Sequence, residues 1–565
     1  MTRRDPRRRT IAAALVACSL FSVTACTTEE PTSGPTITQS ASPTQQSATP
    51  SPMPSPSVTA SVKLAQGKTD PNPPVASFDP KAHAHLEGPE SPDRQTMHPA
   101  SQDDKQFSKP PAGKGMNRYL SRKISWHACG NFQCSKVLVP LDWDDPNGPA
   151  ITLALKRKPA ESSSKATLFV NPGGPGGSGQ EMVDSFKSSA FPNHDVIGWD
   201  PRGTGQSTHV DCGPAKTMDA FFNLDASPDD EAEWKALGRG TRDFARSCRA
   251  HSGELLDHVS TIDTARDLDY LRYLVGDKKL DYLGISYGTF LGATYAELYP
   301  GRVGQMVLDS TVNITNHDTV SQSVGFDRAF GDFAKWCAKQ GQRCTLGKNE
   351  AGVRKTTLNF LNHLDSHPLK VENRTLTQSL AATGIALFLY SGKEAYPYLA
   401  GSLRGAMKDG NGSYLLTASD FLNGRGKDGQ WETIVSAFPA ISCLDQADFG
   451  LNHVRKEWPK EAAKAPTLGK ALGMTPTCEV WTAHPAHQLY LTAQGAAPIL
   501  VLGATGDPAT PYEQAEWMAD QLKSGVLLTW RGAGHSAWEL GNQCVKKAVE
   551  SYVNDAKVPR DKTVC

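Results

Sequence analysis

Apolar residues in this chain gather into short, dense runs. "ITLAL" (151–155), "ATLFV" (166–170), "DVIGW" (195–199), "LDYLGI" (280–285), "QMVLD" (305–309), "PILVLGA" (498–504) and "GVLLTW" (525–530) are bounded mostly by Gly, Pro or charged residues. Runs of this length without polar alternation predict strands covered on both faces, as at the centre of a mostly parallel sheet. Segments between them carry helical spacing, for example "TARDLDYLRYLVG" (264–276) and "PYEQAEWMADQL" (511–522). Strands alternating with helices imply an α/β class. From about 313 to 490 strand-like runs become sparse and helical patterns such as "FDRAFGDFAKWCAKQ" and "TTLNFLNHLDSH" dominate. Strand runs resume afterwards. The stretch 313–490 therefore reads as a largely helical cap inserted into one core made of 116–312 and 491–565, and placed over the carboxyl edge of the sheet.

The N-terminal part follows a different pattern. Arg3, Arg4, Arg7, Arg8 and Arg9 precede the apolar "TIAAALVACSLFSV", which ends in "VTAC". A basic region, a short apolar region and small residues make a secretory signal over 1–25. The apolar region is short for a transmembrane helix. Val23-Thr24-Ala25-Cys26 resembles the bacterial lipobox, so Cys26 is expected to be lipidated and to anchor the protein to the outer face of the cell membrane. Residues 31–60 contain 20 Pro, Ser or Thr and no charged or aromatic residue. They cannot bury enough apolar surface to offset their ordering entropy, so 26–115 reads as a flexible tether.

Charge and cysteine content sharpen this picture. The 59 basic and 59 acidic residues balance, which gives no reason to expect a nucleic-acid partner. Of 12 cysteines, Cys18 lies in the signal and Cys26 at the anchor. An even set remains for an oxidising compartment. Spacing suggests the local pairs Cys129–Cys134, Cys212–Cys248, Cys337–Cys344, Cys443–Cys478 and Cys544–Cys565. No Cys-x-x-Cys pair or clustered His accompanies them, so neither metal nor other cofactor is expected.

The chemistry centres on Gly284-Ile285-Ser286-Tyr287-Gly288. A strand pattern precedes it and a helix pattern follows. This is the setting of a nucleophile elbow, where small flanking residues permit a strained turn that exposes the serine. A serine hydroxyl needs a base. His535 in "TWRGAGHSAW" lies just beyond the run 525–530, and Asp507 in "VLGATGDPATPYEQA" just beyond 498–504. Each alone could be a loop or turn residue. Together, in the order Ser286, Asp507, His535, each at the carboxyl end of a predicted strand, they form a triad in α/β-hydrolase order. Thr510 is placed to donate to Asp507 or to serve the turn. "FVNPGGPGGSGQ" (169–180) supplies backbone N–H groups for an oxyanion, from Gly174 or its neighbour Gly173, with the Tyr287 N–H as the second donor. No Gly-Lys-Ser/Thr follows this loop, which disfavours phosphate binding. In "GWDPRGTGQS" (198–207), Asp200 and Arg202 are read as an ion pair that steadies the turn, with contact to substrate as the alternative.

These residues make a resemblance plain. "NPGGPGGSG", "WDPRGTGQS", "ARDLDYLRYLVG…LDYLGISYGT", "AISCLDQADF" and "GATGDPATPYEQAEWMADQL…GAGHSAW" resemble the α/β-hydrolase peptidases related to proline iminopeptidase. More narrowly they resemble the secreted tripeptidyl aminopeptidases of actinomycetes. Proline iminopeptidases usually open the oxyanion loop with His-Gly-Gly-Pro-Gly, whereas Asn171-Pro172 stands here, as in the tripeptidyl group. The resemblance implies an α/β-hydrolase fold and a monomer that removes short peptides, tripeptides first, from free N-termini. A cap carboxylate should then meet the substrate ammonium, and Asp445 in "SCLDQ" is the candidate, the alternative being a structural Asp beside the Cys443 bridge. An esterase or amidase would use the same triad. A non-catalytic binding protein would be expected to have lost one of the three residues, and a dehalogenase or epoxide hydrolase would need Asp at position 286.

Overall fold

The computed structural model describes residues 107–162, 166–315, 320–446, 450–473, 477–483 and 489–565, and the backbone of two short strands, Val58–Ser61 and His85–Leu86. The signal segment and Cys26 lie outside the described residues, as does most of the tether. Val58–Ser61 pairs antiparallel with Lys557–Pro559, and His85–Leu86 with Leu489–Tyr490. The folded part starts earlier than residue 116, because Ser108 and Ala150 exchange backbone hydrogen bonds of 2.7 and 2.9 Å.

Ten strands form one sheet. They are β1 (His127–Cys129), β2 (Phe132–Pro140), β3 (Ala150–Lys158), β4 (Ala166–Asn171), β5 (His194–Asp200), β6 (Leu280–Ile285), β7 (Val303–Asp309), β8 (Ile499–Gly506), β9 (Gly525–Ala533) and β10 (Thr563–Val564). Their spatial order is β10-β9-β8-β7-β6-β4-β5-β3-β2-β1. From β5 to β10 all neighbours run parallel, while β1, β2 and β3 pair antiparallel with one another and β3 antiparallel with β5. Every residue of β4, β6 and β7 is buried, which is why these strands read as continuous apolar runs. The alternating, partly charged "FQCSKVLVP" of β2 lies toward the sheet edge and gives no such signal.

Helices cover both faces. The principal ones are α1 (Gly179–Ser185), α2 (Glu231–Ser252), α3 (Thr261–Val275), α4 (Tyr287–Leu298), α5 (Gln322–Ala338), α6 (Glu350–Ser366), α7 (Gln378–Tyr390), α8 (Tyr396–Asp409), α9 (Ser413–Leu422), α10 (Ile434–Asp445), α11 (Gly450–Lys464), α12 (Tyr512–Gln521) and α13 (Gln543–Asp555). Side chains of α3, α4 and α12 pack with one face of the sheet, and those of α1 and α13 with the other. Between β7 and β8 the described residues are mainly helical, from α5 to α11, with one hairpin of Leu369–Val371 and Arg374–Leu376. Much of this insertion has its own apolar core, including Phe330, Phe333, Leu380 and Leu399. By contrast, Ala437, Ile441 and Leu444 of α10 join the core of the sheet, so α10 ties cap to catalytic edge.

All five cysteine pairs expected from spacing are disulfides: Cys129–Cys134, Cys212–Cys248, Cys337–Cys344, Cys443–Cys478 and Cys544–Cys565. Among the described residues no helix is long and apolar enough to cross a membrane.

Candidate active site

The carboxyl ends of β6, β7, β8 and β9 lie side by side. Ser286 stands between β6 and α4 with φ 58° and ψ −127°, a left-handed conformation that costs a non-glycine residue about 1–3 kcal/mol and persists only when its surroundings enforce it. The surroundings are tight. A Cβ on Gly284 would sit 2.4 Å from the Gly288 carbonyl oxygen, and one on Gly288 would sit 2.9 Å from the Asn171 carbonyl oxygen. The two glycines therefore allow the turn, and the turn presents the serine.

Asp507 follows β8 and His535 follows β9. The His535 Nδ1 lies 2.9 and 3.1 Å from the two Asp507 carboxylate oxygens. That contact places the proton on Nδ1 and leaves Nε2 as the basic atom. Asp507 also accepts from the N–H groups of Ala509 and Thr510, each at 2.9 Å, and from the Thr510 hydroxyl at 3.1 Å. Burial works against a charged imidazole, but the nearby carboxylates, Asp507 foremost, together outweigh it, so His535 holds its proton above the ordinary histidine range. The cap contributes too. The Tyr390 carbonyl accepts the His535 N–H at 2.9 Å, and the two rings meet edge to face at 5.2 Å.

The glycine loop after β4 lies against the elbow. A Cβ on Gly173 would fall 2.9 Å from the Ser286 Cβ and 3.0 Å from the Tyr287 nitrogen. The Gly173 N–H is already donated to the Asn171 side-chain oxygen at 2.9 Å. Among the described residues, the Gly174 and Tyr287 N–H groups have no protein acceptor. Of the two glycines considered as a donor, Gly174 is thus the one left available, and Asn171 is the reason.

Asp200 and Arg202 do not pair with each other as expected. The Asp200 carboxylate accepts from the Ser178 hydroxyl at 2.6 Å, the Gln180 amide at 2.7 Å and the Gln206 N–H at 2.8 Å, so it braces the glycine loop. Arg202 makes a two-pronged contact with Asp267 at 2.7 and 2.8 Å and donates to the carbonyls of Pro140, Leu141 and His258. Both Arg202 and Asp267 are fully buried. A guanidinium offers five donors, and one carboxylate cannot satisfy them. The carbonyls at the end of β2 can help only if Arg202 turns towards α3.

Asp445 ends α10. Its carboxylate accepts the Thr261 N–H at 2.9 Å and the Thr261 hydroxyl at 2.5 Å, and that hydroxyl also meets the Tyr287 hydroxyl. Burial pushes the Asp445 carboxyl up to about 7, against the pull of the Thr261 bonds. Sequence reading had not singled out Glu181 and Glu432, which face each other beside the glycine loop. Partial burial raises the Glu181 proton affinity, and Glu432 raises it further. Two apolar side chains also stand open here. Phe438 is 49% exposed on α10, whose backbone packs on Gly176. Leu540 is 41% exposed, with its Cδ1 2.5 Å from where a Gly534 Cβ would lie.

A family model described as TAP-like protein matches residues 465–565. Over 482 residues the chain is 32% identical to serine protease Hip1 of Mycobacterium tuberculosis, covering 79% of this chain and 91% of that one. It is 30% identical over 466 residues to the tripeptidyl aminopeptidase of Streptomyces lividans, covering 78% and 84%. The chain belongs to the tripeptidyl-aminopeptidase-like family of α/β-hydrolases. It is a serine hydrolase of peptidase type. Within the same family, carboxylesterase B of Mycobacterium tuberculosis is 32% identical over 473 residues, covering 78% of this chain and 89% of that one.

Proposed function

We propose that the chain is an extracellular exopeptidase that releases tripeptides from free N-termini through an acyl-enzyme on Ser286. The observation that carries this reading is the strained Ser286 elbow packed against the glycine loop, in a sheet whose later strand ends supply the Asp507–His535 pair. In the first step His535 Nε2 takes the Ser286 proton as Oγ attacks the scissile carbonyl. The oxyanion accepts hydrogen bonds from the Gly174 and Tyr287 N–H groups, each worth about 3–4 kcal/mol in the transition state. Asp507 stabilises the imidazolium, which then gives its proton to the departing amine. Water, activated by the same histidine, releases the tripeptide and restores Ser286. Asp445 is assigned to the substrate ammonium, with Glu181 and Glu432 adding negative charge nearby. The signal-like N-terminus and Cys26 support work outside the cell on a lipid anchor.

The test uses the purified full chain with a tripeptide anilide bearing a free N-terminus, the same peptide acetylated, and a simple ester. Cleavage of the free peptide far faster than of the acetylated peptide or the ester, lost in Ser286→Ala, is the expected result. Asp445→Asn should raise KM for the free peptide and leave the residual ester rate unchanged. If that substitution lowers both rates together, Asp445 serves only to hold Thr261. Ester turnover without peptide turnover would favour an esterase, the activity named for one of the relatives.

A further inference from the structure

Strand β7 ends in Asp309, Ser310 follows it, and neither belongs to the proposed triad. Yet this turn touches all three segments that carry it. The Asp309 carbonyl accepts the Ser286 N–H at 3.0 Å, and the Ser310 N–H donates to the Leu502 carbonyl of β8, the strand leading to Asp507, at 3.0 Å. The Asp309 carboxylate accepts from the Ser536 hydroxyl at 2.7 Å and from the Ala537 and Trp538 N–H groups, each at 2.9 Å. The Ser310 hydroxyl accepts the Ser536 N–H at 2.8 Å. Ser536 directly follows His535 and has φ 89°, a conformation that its neighbours must hold in place.

An apolar residue of similar size at 309 would fill the same space. It would leave three buried donors unsatisfied, each at the cost of its lost hydration. A carboxylate with no counter-cation is an expensive way to terminate a loop, because Asp309 is fully buried and charge avoids such a site unless it is well bonded. Burial raises the Asp309 proton affinity, and the three donors and the His535 imidazole, when protonated, pull it back.

We propose that Asp309 is a positioning residue that keeps nucleophile and base in register and sets a second negative charge behind the imidazole. The proposal rests on the roles given above to Ser286 and His535. Four titratable groups lie about that ring, Asp507 from the loop after β8, Asp309 from β7, Glu539 from the short helix following His535 and Tyr390 from α7, and the Thr510 hydroxyl lies 3.4 Å from its Nδ1. Asp309 acts in the same direction as Asp507, adding to the attraction for the proton on His535.

The experiment follows the rate at which a fluorophosphonate labels Ser286 in the full chain, as a function of pH, in wild type and Asp309→Asn. This reaction needs the serine and its base but no peptide, so it reads the proposal independently of the exopeptidase assignment. The asparagine keeps the shape, loses the charge and offers one acceptor oxygen where the carboxylate offered two. Expected are near-UV circular dichroism like wild type, labelling slowed roughly 10–100-fold, and a pH midpoint lowered by about half a unit or more. A wild-type rate, or a slowed rate with an unmoved midpoint, would overturn the proposal. Should Asp309→Asn not fold, Ser310→Ala carries the test, since it removes the acceptor for Ser536 N–H and keeps the charge. Its labelling should slow at an unchanged midpoint, and an unchanged rate would overturn the proposal. A wild type that is not labelled at Ser286 would sink the assigned roles and this proposal with them.

Discussion

At the scale of single residues, the site depends on where protons sit. His535 must be neutral to accept the Ser286 proton, and its affinity for a proton is raised by Asp507 against the opposing effect of burial. Activity should therefore climb with pH through a midpoint above the ordinary histidine value of about 6.5. Asp507→Asn removes the charge that holds the proton, so the midpoint should move down. The rate at the plateau should fall roughly 10⁴-fold, because the tautomer is no longer fixed. A kcat/KM profile on the free tripeptide anilide checks both. A midpoint that stays in place would mean that another group sets the acid limb. The proposed triad was legible in sequence because each member lies within five residues of the end of an apolar strand run. Asp309 closes such a run too, "QMVLD", but a lone Asp at a strand end carries no mark of the donors that packing will bring to it.

At the scale of elements, α10 does the most to shape what can bind. It packs on the glycine loop through Ala437, places Asp445 on Thr261, and leaves Phe438 open beside the loop. An open phenylalanine next to the oxyanion donors is suited to a substrate side chain flanking the scissile bond. Phe438→Ala should lower kcat/KM about 10-fold for peptides with a large apolar residue there, the scale of a partly buried aromatic contact. Peptides with serine at that position should be little affected. Equal losses on both series would show that Phe438 supports α10 and does not contact substrate. Helices α3 and α12 were readable to within a few residues from their spacing. The antiparallel β1 and β2 were not, since edge strands are half-exposed and their polar positions dilute the apolar signal.

At the scale of the whole molecule, buried charge ties the layers together. Arg202, after β5, reaches Asp267 on α3, and Trp143 donates to the same carboxylate at 3.0 Å. Removing one partner leaves the other charged and buried, so Arg202→Met should cost about 3–5 kcal/mol of stability. Replacing both, as Arg202→Met with Asp267→Leu, should recover much of that loss. Thermal or denaturant unfolding of the single and double variants measures it. A single variant as stable as wild type would show that the pair is not what holds α3 to the sheet.

The sequence by itself determined the alternation of strands and helices and the order of Ser286, Asp507 and His535, and it suggested the five cysteine pairs that the fold joins. These features depend on periodicity, turn chemistry and spacing along the chain. Only the tertiary structure decided that Gly174 keeps a free N–H while Gly173 spends its own on Asn171. It also decided that Arg202 turns to Asp267, 65 positions away, and that Asp309 gathers donors from beyond β9. In each case a buried polar group takes the best partner that packing supplies, because leaving it unsatisfied costs more than any local preference can repay. That partner is chosen by the fold and has no fixed distance in the chain.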